Sequence, residues 1–368
     1  MVTLTGHAYC WDVLGDPAFP DRVAELGLSS VTLAAAYHGV RAATPMHPRH
    51  QIVDASHGAL YRPVRPEAWR GHRLRPLTPG WMTAADPFAE AAATLRAAGL
   101  AVTAWVVLAH NSRLGEANPD LTVVNCYGER YPYALCPSWP DVREYAATLA
   151  AEAVRDAPVD AVSLESCGQM GLAHTGHHDR TADAWPPPAQ RWLSVCCCAA
   201  CRTSWAERGL DPARVVSALA ADVRGEATVD FAEAILDARH EAARLMRERV
   251  LAAVAGLPVI LHGNPDPWAA GPSPGLPAGE PLDVHAVLVP AWPAGEDSAR
   301  AVASAVAAGH RVHAYVTALP PMPVDRVPGH AAALVAAGAS GIHLYHLGLA
   351  SAPRLAALRR TVERLESS

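Results

Sequence analysis

Lysine is absent from all 368 residues, so Arg and His supply every side-chain cation. The absence excludes chemistries more than folds. An aldolase working through a Schiff base, or a pyridoxal-phosphate enzyme, needs a lysine amine, and a phosphate-binding P-loop needs the lysine of its motif. Long apolar runs are missing too. No stretch reaches the ~18 residues that a membrane-spanning helix requires. The N-terminal MVTLTGHAYCWDV lacks the basic and apolar regions of a secretory signal. The cytoplasm is therefore the expected location, with no membrane partner. No basic tract occurs and the net charge is −6, which argues against a nucleic-acid partner. Eight cysteines in a reducing compartment are not expected to form a disulfide framework.

What the chain does contain is a 51% hydrophobic composition, ample for a large core, and a regular alternation of two patterns. Short runs rich in β-branched and apolar residues, bounded by turn residues, predict strands near 3–10, 30–37, 101–109, 159–165, 258–263, 284–289, 311–317 and 341–346. Between them, apolar residues at three- and four-residue spacing predict helices over 87–100, 141–157, 231–257, 296–309, 329–339 and 353–366. Gly99, Gly256, Gly309 and Gly338 close several of these, as expected where a helix ends in the left-handed conformation. Eight such strand–helix units predict one (β/α)₈ barrel of the TIM type spanning residues 1–368. Long βα-loops follow strands 2, 3 and 4 (38–86, 110–140 and 166–229), where insertions on this architecture build a substrate cleft.

On such a barrel, catalytic groups sit where strands end. Glu165 closes the fourth run, VDAVSLES, on the same face as Ser163. A partly desolvated carboxylate there is a candidate general acid; the alternative is a Glu paired with an Arg or capping a loop. Glycoside hydrolysis ordinarily uses a second carboxylate. Strand 7 reads RVHAYVTALPP and ends without one. The candidates are Asp12, in CWDV after strand 1, and Asp266, in HGNPDPW after strand 5; either is equally read as a turn residue. Water held by neutral groups, or the substrate itself, would also substitute for a second acid. Polar and aromatic residues crowd the other strand ends. Trp11, Tyr37, His38, His110, Asn111, His262, Trp268, Trp292, Tyr345 and His346 are candidates for holding sugar hydroxyls or stacking on a pyranose face.

Two clusters raise the question of metal. The segment HTGHHDR offers His174, His177, His178 and Asp179, a spacing that matches no established zinc helix. Cys196, Cys198 and Cys201 have the spacing of a structural zinc site, with Cys126, Cys136 or Cys167 available as a fourth ligand; three buried small residues at a helix start is the alternative.

Several stretches (WDV at 11–13, AAAYH at 34–38, AWVVLAHNSRLG at 104–115, YALCPSWPDVREY at 133–145, VDAVSLES and CCCAACR at 196–202) resemble an uncharacterised bacterial family of glycoside-hydrolase-like TIM-barrel proteins. The cysteine spacing is also similar to a cluster in certain barrel β-galactosidases, some of which hold structural zinc, at a different place in the barrel. The resemblance implies the fold, and it implies carbohydrate chemistry by association. The expected protein is thus an enzyme that cleaves or modifies a glycosidic bond, takes a small-molecule glycoside, and requires no cofactor beyond a possible structural zinc. A metal-dependent isomerase, lyase or hydrolase, and a non-catalytic sugar-binding barrel, are the alternatives.

Overall fold

In the computed structural model, which describes residues 2–172, 180–181, 184–279 and 281–367, the predicted strands form a closed parallel barrel. They are β1 (Thr3–Ala8), β2 (Ser30–Tyr37), β3 (Ala101–Val107), β4 (Ala161–Glu165), β5 (Val259–His262), β6 (Ala286–Pro290), β7 (Val312–Thr317) and β8 (Gly341–Tyr345). Each pairs in parallel with its neighbours in chain order. The ring closes because β1 pairs with β8, Thr3 opposite Gly341, as well as with β2. The expected helices pack outside it, from Pro87–Ala97 to Ala352–Glu366. Gly99, Gly256, Gly309 and Gly338 all take positive φ, between 80° and 105°, just past helix ends. Strand β1 stops two residues before the expected 10. The Tyr9 backbone N–H donates to the Asp12 carboxylate, and this turns the chain into the short helix Cys10–Val13.

The insertions after β2, β3 and β4 are themselves structured. The first forms a hairpin (Val40–Ala43 with Ile52–Ala55) and a short strand, Ala59–Leu60, that pairs antiparallel with β2. The second carries the helix Ser112–Ala117 and a hairpin, Thr122–Val124 with Arg130–Leu135. The third supplies the helices Pro187–Leu193, Ala199–Glu207 and Pro212–Val223. The second and third pack on one another around a hydrophobic cluster that includes Val123, Trp192, Val195, Trp205 and Leu219, separate from the barrel's main core. Among the described residues no helix is long and apolar enough to cross a membrane.

The barrel interior departs from the usual filling by Val, Ile and Leu. The sequence His-x-Tyr occurs at 7–9 across the end of β1, at 313–315 on β7 and at 343–345 on β8. Alternation at period two turns both members of each pair to one face, and all three imidazoles are buried. Thr5 and Thr32 share a hydrogen bond (3.4 Å) in the same interior, and Ser163 meets His262 (3.0 Å). Space for the ring of His313 comes from Gly341 across the β7–β8 pair, where a Cβ would stand 2.6 Å from the ring. That ring is held by a 3.1 Å hydrogen bond to His343 and cannot swing aside freely. Gly341→Ala is therefore expected to destabilise the fold by about 1–3 kcal/mol, as overpacking of a filled core does. Urea unfolding of the two proteins measures it, and equal midpoints would mean that the ring is not confined.

Candidate functional site

Glu165 ends β4 with its carboxylate inside the mouth of the barrel, 5% exposed. Trp105, from β3, donates its indole N–H to Oε2 at 2.9 Å. His262, the last residue of β5, places Nδ1 3.7 Å from the same oxygen. Oε1 has no hydrogen-bond partner among the described residues. The surroundings are aromatic: Tyr37, Tyr315 and Tyr345 all feel the charge of Glu165. Burial pushes its pKa from 4.5 up to about 8, against the pull of the Trp105 hydrogen bond. At neutral pH the group is therefore mostly protonated and able to donate. Burial drives His262 down to about 3, so its imidazole is neutral.

A second carboxylate–imidazole pair lies where β8 meets β1. Asp12 is buried in the helix Cys10–Val13, its Oδ2 accepting from the Tyr9 N–H at 2.8 Å and standing 3.8 Å from Nδ1 of His346. Gly348 makes the fit possible, since a Cβ there would come within 2.0 Å of the carboxylate carbon. Burial raises Asp12 from 3.8 to about 7, with the Tyr9 N–H and the Arg22 charge opposing, and it lowers His346 to about 3.

Tyr9 connects the two pairs. Its ring packs against Trp11 (4.4 Å) and His346 (4.1 Å), and its hydroxyl reaches those of Tyr37 (3.3 Å) and Tyr345 (3.4 Å). Trp292, 41% exposed, stacks on Tyr345 with ring centres 5.0 Å apart. Beside the mouth, a groove of about 690 Å³ runs between His38, whose ring packs on Tyr37, and the hairpin of the first insertion; His110, Arg41, Arg113 and Tyr133 also line it.

The other sequence candidates take up distinct positions. Asp266 is exposed, and its carboxylate accepts the Trp268 N–H (3.0 Å) within a turn. Both guanidinium groups of Arg191 and Arg239 lie over the Trp268 ring, at 5.2 and 5.5 Å. Asn111 caps the helix Ser112–Ala117 by accepting the Leu114 N–H at 3.1 Å. Trp11 is buried. The segment containing His174, His177, His178 and Asp179 lies outside the described residues.

The sequence left the fourth cysteine open, and the fold selects Cys136. Its thiol and those of Cys196, Cys198 and Cys201 are buried with all four sulfurs within 4.8 Å of one another. Cys136 stands 3.6 Å from Cys201 and 3.8 Å from Cys198. Cys198 is held far below the usual thiol range by side-chain hydrogen bonding with Cys136, Cys196 and Cys201. The buried Arg239 guanidinium adds a nearby positive charge.

Trp105, Tyr9 and the imidazoles of His313 and His343 were not among the candidates. The threefold His-x-Tyr pattern was the available signal for the last two, and alternation along AVTAWVV for Trp105.

No family model and no curated protein matches the chain. Solved structures do share its fold. An α-L-fucosidase isoenzyme 2 from Paenibacillus thiaminolyticus aligns with a TM-score of 0.59 and 14% identity over 100% of this chain and 49% of that one. The catalytic domain of a β-amylase from Paenibacillus polymyxa aligns at 0.59 and 12% identity, over 98% and 97%. A β-galactosidase from the psychrophilic Marinomonas ef1 aligns at 0.54 and 12% identity, over 99% and 59%. This chain thus spans about half the length of the fucosidase. Likeness at such identities establishes the (β/α)₈ fold.

The buried acids give a stability signature. A carboxyl whose folded pKa is raised contributes stability that is complete below its unfolded value and is lost as pH climbs through the folded one. For Glu165 that window runs from 4.5 to about 8, and for Asp12 from 3.8 to about 7. Glu165→Gln is expected to match the parent near pH 4 and to exceed it at pH 8, by on the order of a few kcal/mol. Urea unfolding at the two pH values reads this. A variant weaker than the parent at pH 8 would mean that the carboxylate is ionised and well stabilised in the folded protein.

Proposed function

We propose that the protein is a glycoside-hydrolase-like enzyme in which Glu165 is the general acid. The observation that carries this reading is a carboxyl at the end of β4, desolvated by an aromatic pocket and raised to about 8, so that it holds a proton at neutral pH. A glycosidic oxygen leaves only if protonated as its bond to the anomeric carbon breaks, and a poised acid supplies that proton. The names of the three solved structures that share the fold support a carbohydrate substrate by analogy.

Asp12 is the partner group in this reading. Its ionised fraction, close to half at neutral pH, positions water or offsets positive charge at the anomeric carbon, with His346 beside it. Trp292 and Tyr345 offer ring faces to a pyranose, and Tyr37, His38, His110 and His262 offer hydroxyl partners. Asp266, engaged in its turn, is given no part. The chemistry needs no cofactor.

The decisive experiment is a panel of activated aryl glycosides hydrolysed by the parent and by Glu165→Gln. Turnover of one sugar series is expected, reduced by about 10²–10⁴-fold in the variant and falling in the parent as pH passes about 8. Equal turnover by the two proteins would remove Glu165 from the reaction. Sugar binding without turnover, unchanged by the substitution, would make this a binding barrel.

The four-cysteine cluster fits a structural zinc. Zinc–thiolate bonds of ~2.3 Å in a tetrahedron put sulfurs about 3.8 Å apart, close to the 3.6 and 3.8 Å separations of the cluster. Cys136 would hold it from the second insertion, and Cys196, Cys198 and Cys201 from the third, so the ion would clamp the two insertions together. Metal analysis of purified protein is expected to give about one zinc per chain, lost in Cys198→Ser together with thermal stability. Stoichiometric metal that persists in that variant would place the ion elsewhere.

A further inference from the structure

The three interior imidazoles are joined in one direction. Tyr315 Oη meets His7 Nδ1 at 3.3 Å, His7 Nε2 meets His343 Nδ1 at 3.3 Å, and His343 Nε2 meets His313 Nδ1 at 3.1 Å. Every bond between imidazoles therefore couples the Nδ1 of one ring to the Nε2 of the next. A neutral imidazole donates at one nitrogen and accepts at the other, and burial holds His7, His343 and His313 below the ordinary histidine range. Geometry then permits two arrangements of the row. Either all three rings carry their proton on Nε2, with the Tyr315 hydroxyl donating to His7, or all three carry it on Nδ1, with His7 donating to Tyr315.

The two ends of the row differ in surroundings. At one end Tyr315 packs edge-on against His262 (5.4 Å), whose Nδ1 lies 3.7 Å from Glu165 Oε2, and it feels the charge of Glu165. At the other, His313 Nε2 is buried with no hydrogen-bond partner among the described residues, and the ring lies 6.4 Å from that of the exposed His285, near Arg311. The row thus spans the barrel from its catalytic mouth towards its opposite face. Three polar rings in place of aliphatic ones give up packing that a purely structural core would use.

We propose that His313, His343, His7 and Tyr315 form a proton path through the barrel axis, linking Glu165 to solvent at the far end. The claim rests on Glu165 being the acid of the reading above. Starting from the Nδ1–H arrangement, a proton entering past the exposed His285 binds the buried His313 Nε2. The Nδ1 proton of His313 passes to His343 Nε2, that of His343 to His7 Nε2, and that of His7 to Tyr315 Oη. The original hydroxyl proton of Tyr315 leaves toward the mouth. One proton enters, one leaves, and all three rings end as Nε2–H. Passage of a proton in the opposite sense restores the first arrangement. With substrate filling the mouth, Glu165 recovers the proton it has given to the leaving group by this route. The proton later released by attacking water departs the same way, so a turnover leaves the row as it began. The path makes these residues positioning groups for a proton on Glu165, not catalytic residues.

The test uses the full chain labelled with ¹⁵N-histidine. Two-bond ¹H–¹⁵N correlations report the tautomer of each ring, and saturation transfer from water reports the exchange rate of the His7 ring N–H. One shared tautomer at His7, His343 and His313 is expected. In His313→Gln, which retains a hydrogen-bonding side chain but cannot relay a proton, His7 exchange is expected to slow at least about tenfold with an unchanged near-ultraviolet circular dichroism spectrum. Mixed tautomers, or exchange at the parent rate in the variant, would overturn the path. Neither readout depends on turnover, so a silent glycoside panel would count against the hydrolase reading and leave this result standing.

Discussion

Desolvation of two carboxyl groups inside a closed barrel is the constraint around which the site is built. Water is kept from Glu165 and Asp12 by rings: Trp105, Tyr9, Tyr37, Tyr345, His262 and His346. Among the described residues each carboxyl receives one short hydrogen bond, from the Trp105 indole or the Tyr9 backbone. That is fewer than a buried carboxylate needs to remain ionised at low pH. The neighbouring imidazoles are driven neutral by the same burial and add no compensating charge. Both protons are thereby retained near neutrality without the help of any lysine. The arrangement also ties stability to the proposed function, because the two carboxyl groups assigned to it weigh against the fold as pH rises.

The insertions after β3 and β4 solve a different problem. They extend the wall of the barrel well beyond its strands and carry their own hydrophobic cluster. The four cysteines sit at the junction of the two, with Cys136 directly after the hairpin of one and the CxCxxC turn opening a helix of the other. The thiols lie within that hydrophobic cluster, with the buried Arg239 guanidinium near them. A tetrathiolate would neutralise part of that charge and fix the insertions without demanding a larger apolar core.

The barrel was legible because its signals are local. Runs such as SVTLAAAY and RVHAYVT carry their own strand propensity, and Gly309 and Gly338 mark helix ends by a backbone conformation that other residues avoid. The site was only partly legible, for a reason that spacing cannot cure. Glu165 was findable as a strand-end carboxylate, but the 2.9 Å bond from Trp105 crosses 60 residues of sequence. Asn111 stood in the right place for sugar recognition, yet its side chain caps a helix. Whether Cys126, Cys136 or Cys167 would join the other three cysteines depended on how two insertions meet, which no periodicity within either one encodes.

The hydrogen bond between His7 and His343 joins residues 336 positions apart, across the seam where the first and last strands meet. A ribosome delivers His343 of β8 336 residues after His7 of β1, so one edge of β1 must wait unpaired while the intervening chain is made. Neither the axial row of imidazoles nor the Asp12–His346 pair can assemble before β8 has been made. Closure of a contact so distant in sequence is entropically late and slow. The same polar residues that line the finished barrel keep its waiting edge less adhesive than an aliphatic strand would be.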